Sequence, residues 1–243
     1  MELRGRTALV TGAGHRVGRA IAVALATRGM RVAIHYNSTA DGARETLAQV
    51  QTAGGDGDVI GADLTNPAAI AQLVTSVAQT FGGIDVLVNS AAVMLRTPFG
   101  EIQSEQWDSI MALNVKAPFF MAQAAAPYLR AAHGTIVNIA DLAAFETWPA
   151  FLPHGLSKSG VVYLTRALAR VLAPEVRVAG IAPGTVLLPD NWDQKSAEHL
   201  RETTPLERHG SPADVTRTVL FILDSDYLTG ETIIVDGGRH VRV

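Results

Sequence analysis

Short apolar runs alternate with longer segments of helical periodicity from one end of the chain to the other. Strands joined by helices in this order predict a parallel sheet that is buried on both faces, and right-handed crossovers then give a doubly wound α/β fold. The predicted strands are Thr7–Thr11, Arg31–His35, Gly57–Ala62, Val86–Asn89, Thr135–Ala140, Arg177–Ala182 and Glu231–Val235. The predicted helices are Arg16–Arg28, Asp41–Thr52, Pro67–Phe81, Ser104–Ala132, Leu156–Ala173 and one near Pro212–Leu223.

The chain is long enough for one sizeable core, and no linker or repeat divides it. It has 243 residues, a length that does not demand two domains. We therefore predict a single domain over residues 1–243. The polar segment of about residues 185–207, which follows the sixth predicted strand, is expected to be an irregular loop.

Composition and charge exclude several kinds of partner. The net charge is −3, and the chain has no basic block of the kind that nucleic acids and anionic membranes bind. There is no cysteine, which excludes disulfides and thiolate metal sites. We expect a cytoplasmic protein without a membrane span. No metal site is predicted, because the histidines other than His154 lack metal-ligand spacing and are expected on the surface or in turns. These are His15, His35, His133, His199, His209 and His240.

A glycine-rich turn follows the first predicted strand, in the segment LVTGAGHRVGRA. Gly12, Gly14 and Gly18 lie where the backbone must turn tightly and where helix N–H groups can approach a phosphate. Glycines at an ordinary strand–helix corner would look the same. However, Asp63 follows the third strand and Asn89 ends the fourth, so both lie at the carboxyl edge of the sheet, where doubly wound folds bind ligands. The three features together favour a nucleotide site.

These residues, with Asn114, Ser157-Lys158, Pro183-Gly184 and the late Asp236-Gly237-Gly238, resemble the short-chain dehydrogenase/reductase family over essentially the whole chain. The resemblance implies a Rossmann fold of about seven strands with a nicotinamide dinucleotide in the crevice. The cofactor-binding residues that it implies are Gly12, His15, Arg16, Val17, Gly18, Asn37, Ser38, Asp63, Leu64, Asn89, Lys158, Pro183, Gly184 and Thr185.

The end of the second strand predicts which nicotinamide cofactor binds. NAD-selective sites usually carry a carboxylate there, but this chain reads HYNSTAD, and Asp41 comes late. Arg16 replaces the middle glycine of the family's first-turn motif, and its guanidinium could bind a 2′-phosphate. We predict NADPH, with Asn37 and Ser38 beside the phosphate. Alternatively, Arg16 is a solvated residue at a helix start.

A narrower resemblance concerns the substrate. Arg16 in the first turn, HYNS after the second strand and Asp141 after TIVNIA are similar to the pteridine reductase branch, in which an aspartate stands in place of the usual serine. This implies a pterin, or another flat heterocycle or carbonyl, reduced by NADPH. Met94 stands where that branch usually has an aromatic residue. The substrate contacts that the resemblance implies are Met94, Leu187 and Trp192.

The segment PAFLPHGLSKSG carries His154 four residues before Lys158, where the family has its proton-donating tyrosine. Asp141 is expected to approach the same point, and Asn114 matches the family asparagine whose helix kink holds a water in the proton relay. An imidazolium is a stronger acid than a phenol, so His154 is chemically able to donate. Alternatively, Asp141 protonates a pterin nitrogen through water, or His154 only fills space. Tyr163 is expected to point away from this site.

Two functions remain open at this stage. Asp141, His154, Lys158 and Asn114 as catalytic residues indicate an NADP(H)-dependent reductase. The missing tyrosine indicates instead a catalytically impaired NADP(H)-binding protein, such as a sensor or subunit. Small and apolar residues on more than one face of the helices around Phe119–Ala132 and Gly155–Ala173 predict a homotetramer, or at least a dimer.

Overall fold

The computed structural model of the protein describes residues 2–188 and 193–241. Within these ranges, the strands form one 7-stranded sheet in the order β3-β2-β1-β4-β5-β6-β7, and each pairs in parallel with its neighbours. The predicted doubly wound α/β fold is confirmed. The strands are β1 Thr7–Val10, β2 Arg31–Tyr36, β3 Asp56–Gly61, β4 Val86–Asn89, β5 Thr135–Ile139, β6 Arg177–Pro183 and β7 Thr232–Val235.

Helices cover both faces of the sheet. Alternate residues of a strand point to opposite faces, so Val86 and Val88 join one apolar cluster and Leu87 joins the other. The α-helices are α1 Arg16–Thr27, α2 Ala40–Thr52, α3 Pro67–Phe81, α4 Ser104–Met111, α5 Ala117–Ala132, α6 Leu152–Leu172, α7 Gln194–Glu202 and α8 Pro212–Asp224. None of the helices in the described ranges is both long enough and apolar enough to span a membrane.

The long helix predicted over Ser104–Ala132 is interrupted by a π-helical turn, Ala112–Lys116, between α4 and α5. Pro118 explains the interruption. A proline has no N–H to donate to the carbonyl four residues earlier, and its ring would clash with that carbonyl, which here belongs to Asn114. The Ala117 N–H donates to the Ala112 carbonyl instead. The π turn therefore leaves the Asn114 carbonyl outside the regular helical pattern.

Two further elements differ from the sequence prediction. Helix α6 begins at Leu152, four residues before the predicted start, because Pro153 is well suited to a first turn. His154 therefore lies on the helix, one turn before Lys158. The segment expected to be an irregular loop contains α7, whose N-cap Asp193 accepts the Ser196 N–H.

Candidate active site

The turn after β1 passes very close to the end of β4. Gly12 has a φ of 64°, and a Cβ at this position would lie 2.9 Å from the Ala91 Cα. A Cβ at Gly18 would lie 2.3 Å from the Gly12 carbonyl oxygen, so glycine is required there as well. The Thr11 hydroxyl oxygen accepts the N–H groups of Ser90 and Ala91. The turn and the β4 end thus form one packed unit.

The first turn of α1 faces this crevice without a side-chain cap. Its N-cap residue His15 makes no capping hydrogen bond, and the first turn carries no acidic residue. The leading N–H groups and the positive end of the helix dipole can therefore bind an anion such as a pyrophosphate. Arg16 is exposed, has a φ of 51° and donates to the Leu187 carbonyl at 3.4 Å, while Val17 packs against the core. These residues fit the phosphates of a dinucleotide.

The edge formed by β2 and β3 lacks a carboxylate at the end of β2. Asn37 and Ser38 are exposed there, and Asp41 pairs with Arg44 on α2. Beyond β3, Asp63 accepts the backbone N–H and the hydroxyl of Thr65, and these bonds lower the pKa of its carboxyl. The next residue, Leu64, is buried. Uncharged polar side chains, those of Asn37 and Ser38, therefore follow β2 at the place where NAD-selective sites usually carry a carboxylate.

His35 is the exception to the expectation that the other histidines lie on the surface or in turns. It is 2% exposed near the end of β2, and both ring nitrogens have hydrogen-bond partners. That expectation was wrong because the sequence pattern does not show that two backbone groups from other segments would satisfy a buried imidazole.

The other half of the crevice lies at the ends of β4 and β6. The Asn89 amide donates to the Asn138 side chain at 2.9 Å. Pro183 is buried at the end of β6, and Gly184 and Thr185 follow it half-buried. A Cβ at Gly184 would lie 2.9 Å from the Asp236 Cβ, so a side chain there would collide with the strand end of β7.

Asn114, in the π turn, fixes the loop that follows β4. Its side chain accepts the Val93 N–H at 2.8 Å and donates to the Val93 carbonyl at 2.9 Å. The same amide donates to the Ser157 hydroxyl at 3.0 Å, which connects this loop to α6. Met94, the next residue, is 46% exposed and faces solvent at the rim of the crevice.

Asp141, His154 and Lys158 converge beyond the end of β5. The His154 Nε2 lies 3.8 Å from Asp141 Oδ2, and its Nδ1 lies 3.3 Å from the Val93 carbonyl oxygen. Asp141 Oδ1 accepts the Ala143 N–H at the start of a 3₁₀ turn. The His154 side chain is only 3% exposed, whereas that of Asp141 is 27% exposed. A ligand in the crevice would therefore reach Asp141 before it reached His154.

Lys158 is buried one helical turn after His154. Its ammonium donates to the Ile139 carbonyl at 2.9 Å. Burial lowers the pKa of Lys158 to about 8, although the nearby Asp141 carboxylate opposes this shift. Tyr163, on the same helix, is 73% exposed, in agreement with the expectation that it points away from this cluster.

The remaining predicted contacts lie on the segment after β6. Leu187 is half-buried, and its carbonyl accepts from Arg16. Trp192 lies outside the described residues. A cavity of about 360 Å³ lies between α7 and the ends of β6 and β7. Its wall includes Thr185 and Arg239.

One group near the site was missed by sequence reasoning. The Trp148 Nε1–H donates to Glu146, and the Arg239 Nε lies 3.6 Å from the same carboxylate. These contacts join the segment between β5 and α6 to the turn after β7. No sequence signal could have identified them, because Arg239 is distant along the chain from Glu146 and Trp148 and the three residues belong to no motif.

Comparisons with known proteins identify relatives over nearly the full length. The family model described as Enoyl-(Acyl carrier protein) reductase matches residues 12–240. A 3-oxoacyl-(acyl-carrier-protein) reductase of Synechocystis sp. is 32% identical, with 97% of this chain and 97% of that protein covered. A 3beta-hydroxysteroid dehydrogenase of Eggerthella lenta is 31% identical, with 98% and 94% covered. The crystal structure of a dehydrogenase/reductase from Sinorhizobium meliloti 1021 superposes with a TM-score of 0.92 at 32% identity, with 98% and 97% covered.

Burial of Lys158 predicts a distinct pH dependence of stability. The folded-state pKa of about 8 lies below the ordinary lysine value of 10.5, so between these values the unfolded chain binds more protons. The free energy of unfolding should therefore rise with pH over this range, by up to about 3 kcal/mol. Chemical denaturation of the parent and of Lys158→Met should show that the variant lacks this rise. The exposed Lys195→Met is the control, and parallel profiles for parent and Lys158→Met would contradict the assignment.

Proposed function

Because the chain belongs to the short-chain dehydrogenase/reductase family, we propose that it is an NADPH-dependent reductase of a pterin or another flat heterocycle or carbonyl. The observation that carries the proposal is the partly exposed Asp141 carboxyl, which stands beside the enclosed His154 and the buried Lys158 at the end of β5. A proton source of this kind is what reduction of a ring C=N bond requires, because a proton must reach the nitrogen when a hydride reaches the carbon.

Each half of the crevice has residues suited to one part of the cofactor. Gly12, Gly18 and the first turn of α1 are suited to the pyrophosphate, and Arg16 with Asn37 and Ser38 to a 2′-phosphate. Asp63 and Asn89 are proposed beside the adenosine, and Lys158 at the nicotinamide ribose. Pro183, Gly184 and Thr185 would lie along the nicotinamide ring. When bound, NADPH would supply the hydride.

Asp141 and His154 divide the proton transfer between them in this proposal. The Val93 carbonyl can only accept, so the His154 Nδ1 that faces it carries a proton. The Nε2 atom is then free to hold a second proton towards Asp141. Asp141 contacts the substrate and relays a proton to it, and the enclosed imidazole lies 3.8 Å behind it, so a water must carry protons between the two side chains.

A 3-oxoacyl thioester is a second candidate substrate, because the Synechocystis relative bears that activity in its name and is covered over 97% of its length. The Asp141 carboxyl could also protonate the ketone oxygen of such a thioester. The third possibility, a cofactor-binding protein without turnover, is favoured by the low exposure of His154.

NADPH oxidation distinguishes the three functions. The parent should oxidise NADPH with dihydropterins or a flat quinone faster than with a 3-oxoacyl thioester. Oxidation with the thioester alone would support the second candidate. If NADPH binds but no substrate of the three classes is reduced, this result would support a cofactor-binding protein without turnover and would contradict the reductase proposal.

The cofactor preference has a direct test in Arg16. NADPH should bind at least about tenfold more tightly than NADH, a difference of about 1.4 kcal/mol. Arg16 has a positive φ, so Arg16→Gly relieves backbone strain and should not disturb the fold. The variant should lose most of the preference while NADH affinity is almost unchanged. Arg44→Gly, an exposed arginine paired with Asp41, is the control. Equal affinities of the parent for both cofactors would refute the assignment.

The proton donor is tested by paired substitutions. Asp141→Asn should lower turnover roughly 10²–10⁴-fold, because the amide has no proton of comparable acidity to give. His154→Phe should lower turnover less, because the enclosed imidazole does not contact the substrate in this proposal. NADPH affinity should hardly change in either variant. Unaltered turnover in His154→Phe would make the histidine a bystander, and unaltered turnover in both would contradict the mechanism.

We also propose a homotetramer, because large apolar side chains remain exposed on the helices that flank β4 and β5. On α6, Leu156 is 55% and Tyr163 73% exposed, two helical turns apart on one face, and Phe119 on α5 is 44% exposed. Light scattering at micromolar concentration should give the tetramer mass for the parent. Tyr163→Asp should reduce it, whereas Tyr227→Asp, at a fully exposed position on a loop, should not. A monomer mass for the parent would refute the proposal.

A further inference from the structure

His35 connects three strand ends that form the adenosine half of the crevice. The Gly12 N–H donates to its Nδ1 at 3.1 Å, and its Nε2 lies 3.0 Å from the Ala62 carbonyl oxygen. The Ala13 N–H also donates to the His35 carbonyl. The ring therefore lies between the glycine-rich turn and the residue that precedes Asp63.

The partners determine which ring nitrogen carries the proton. An amide N–H can only donate, so Nδ1 must present its lone pair to Gly12. A carbonyl oxygen can only accept, so Nε2 must carry the proton towards Ala62. Both bonds exist together only in the neutral imidazole. A second proton on Nδ1 would point at the Gly12 N–H. At least one of these two buried donors would then lose its hydrogen-bond acceptor.

The turn cannot move to accommodate that second proton. Gly12 lies at a φ of 64° with its Cα packed close to Ala91, so its N–H direction is fixed. The pKa of His35 is lowered because burial disfavours the charged ring, and the bond to the Ala62 carbonyl only partly opposes this shift.

Within residues 2–188 and 193–241, no charged group compensates for a protonated ring. Across the described residues, none of the titratable side chains on the elements around His35 forms an ion pair with it. These side chains are Arg31 and Tyr36 on β2, Asp56, Asp58 and Asp63 on or after β3, His15, Arg16 and Arg19 at the turn and α1, and Asp41, Arg44 and Glu45 on α2.

We propose that His35 is a positioning residue whose neutral ring holds the glycine-rich turn in its dinucleotide-binding geometry, so that protonation of the ring weakens cofactor binding. The inference rests on the proposed dinucleotide site at this turn. His35 touches no substrate and acts through Gly12 and Ala62. The expected consequence is loss of cofactor affinity in mild acid.

Calorimetric titration with NADP⁺, which is stable in acid, tests the proposal between about pH 7.5 and about pH 4.5, because burial places the His35 pKa below its ordinary value. The parent should lose affinity over this range ~tenfold more than His35→Asn, whose amide oxygen can accept the Gly12 N–H but does not titrate. The 2′-phosphate of NADP⁺ also titrates in this range, but its contribution is the same in both proteins and cancels in the comparison. His133→Asn is the matched control, because His133 is exposed at the far end of α5 and has a φ of 49° that asparagine tolerates.

Equal pH profiles for the parent and His35→Asn would overturn the inference while leaving the proposed function intact. Absence of NADP⁺ binding by the parent at any pH would overturn the proposed function as well. His35→Gln, whose amide can donate to Ala62, serves if His35→Asn does not fold. It should likewise show a flatter profile than the parent, and a profile as steep as the parent's would contradict the proposal.

Discussion

The contact between the Gly12 backbone and Ala91 is the constraint on which the crevice depends. It leaves no room for a side chain at Gly12, and it brings the end of β1 against the end of β4. Thr11 then bonds the β4 loop from one side, and His35 bonds the turn from the other. The first turn of α1, which has no side-chain cap, consequently follows a backbone turn that is held in place. An anion-binding helix end needs that rigidity, because each N–H must already point at the ligand before it binds.

The opposite half of the crevice depends on a break in a helix. Pro118 prevents a regular turn at Asn114, and the Asn114 side chain is used to hold both backbone groups of Val93. The Val93 carbonyl in turn faces the His154 Nδ1, so one asparagine holds both the loop and the acceptor next to the imidazole. Lys158 is enclosed in the same layer, where burial lowers its pKa. The cluster therefore combines an enclosed imidazole and a buried ammonium with a carboxylate that stays partly exposed.

Much of the fold could be predicted from the sequence, because strands buried on both faces are read directly as apolar runs. The bounds of α3 and β4 were predicted as the structure has them. Helix α7 was missed, since its only buried residue is Leu200 and the segment reads as polar throughout. The resemblance implies a helix kink at Asn114, but a single Pro118 in a long helical pattern does not reveal that the kink takes the form of a π turn. For the site, the four-residue spacing along the helix predicts that His154 lies next to Lys158. It does not show that the His154 side chain is enclosed and that Asp141 is accessible. That difference arises from packing between segments far apart along the chain.

We propose that three separate strand ends form one dinucleotide site. Hydrogen–deuterium exchange, measured with and without NADPH, tests this arrangement most directly. NADPH should slow amide exchange together in the segments around residues 11–18, 89–93 and 183–187, and it should leave the distant end of α5 unchanged. Slower exchange in none of the three segments, or only at a place outside them, would contradict a shared site.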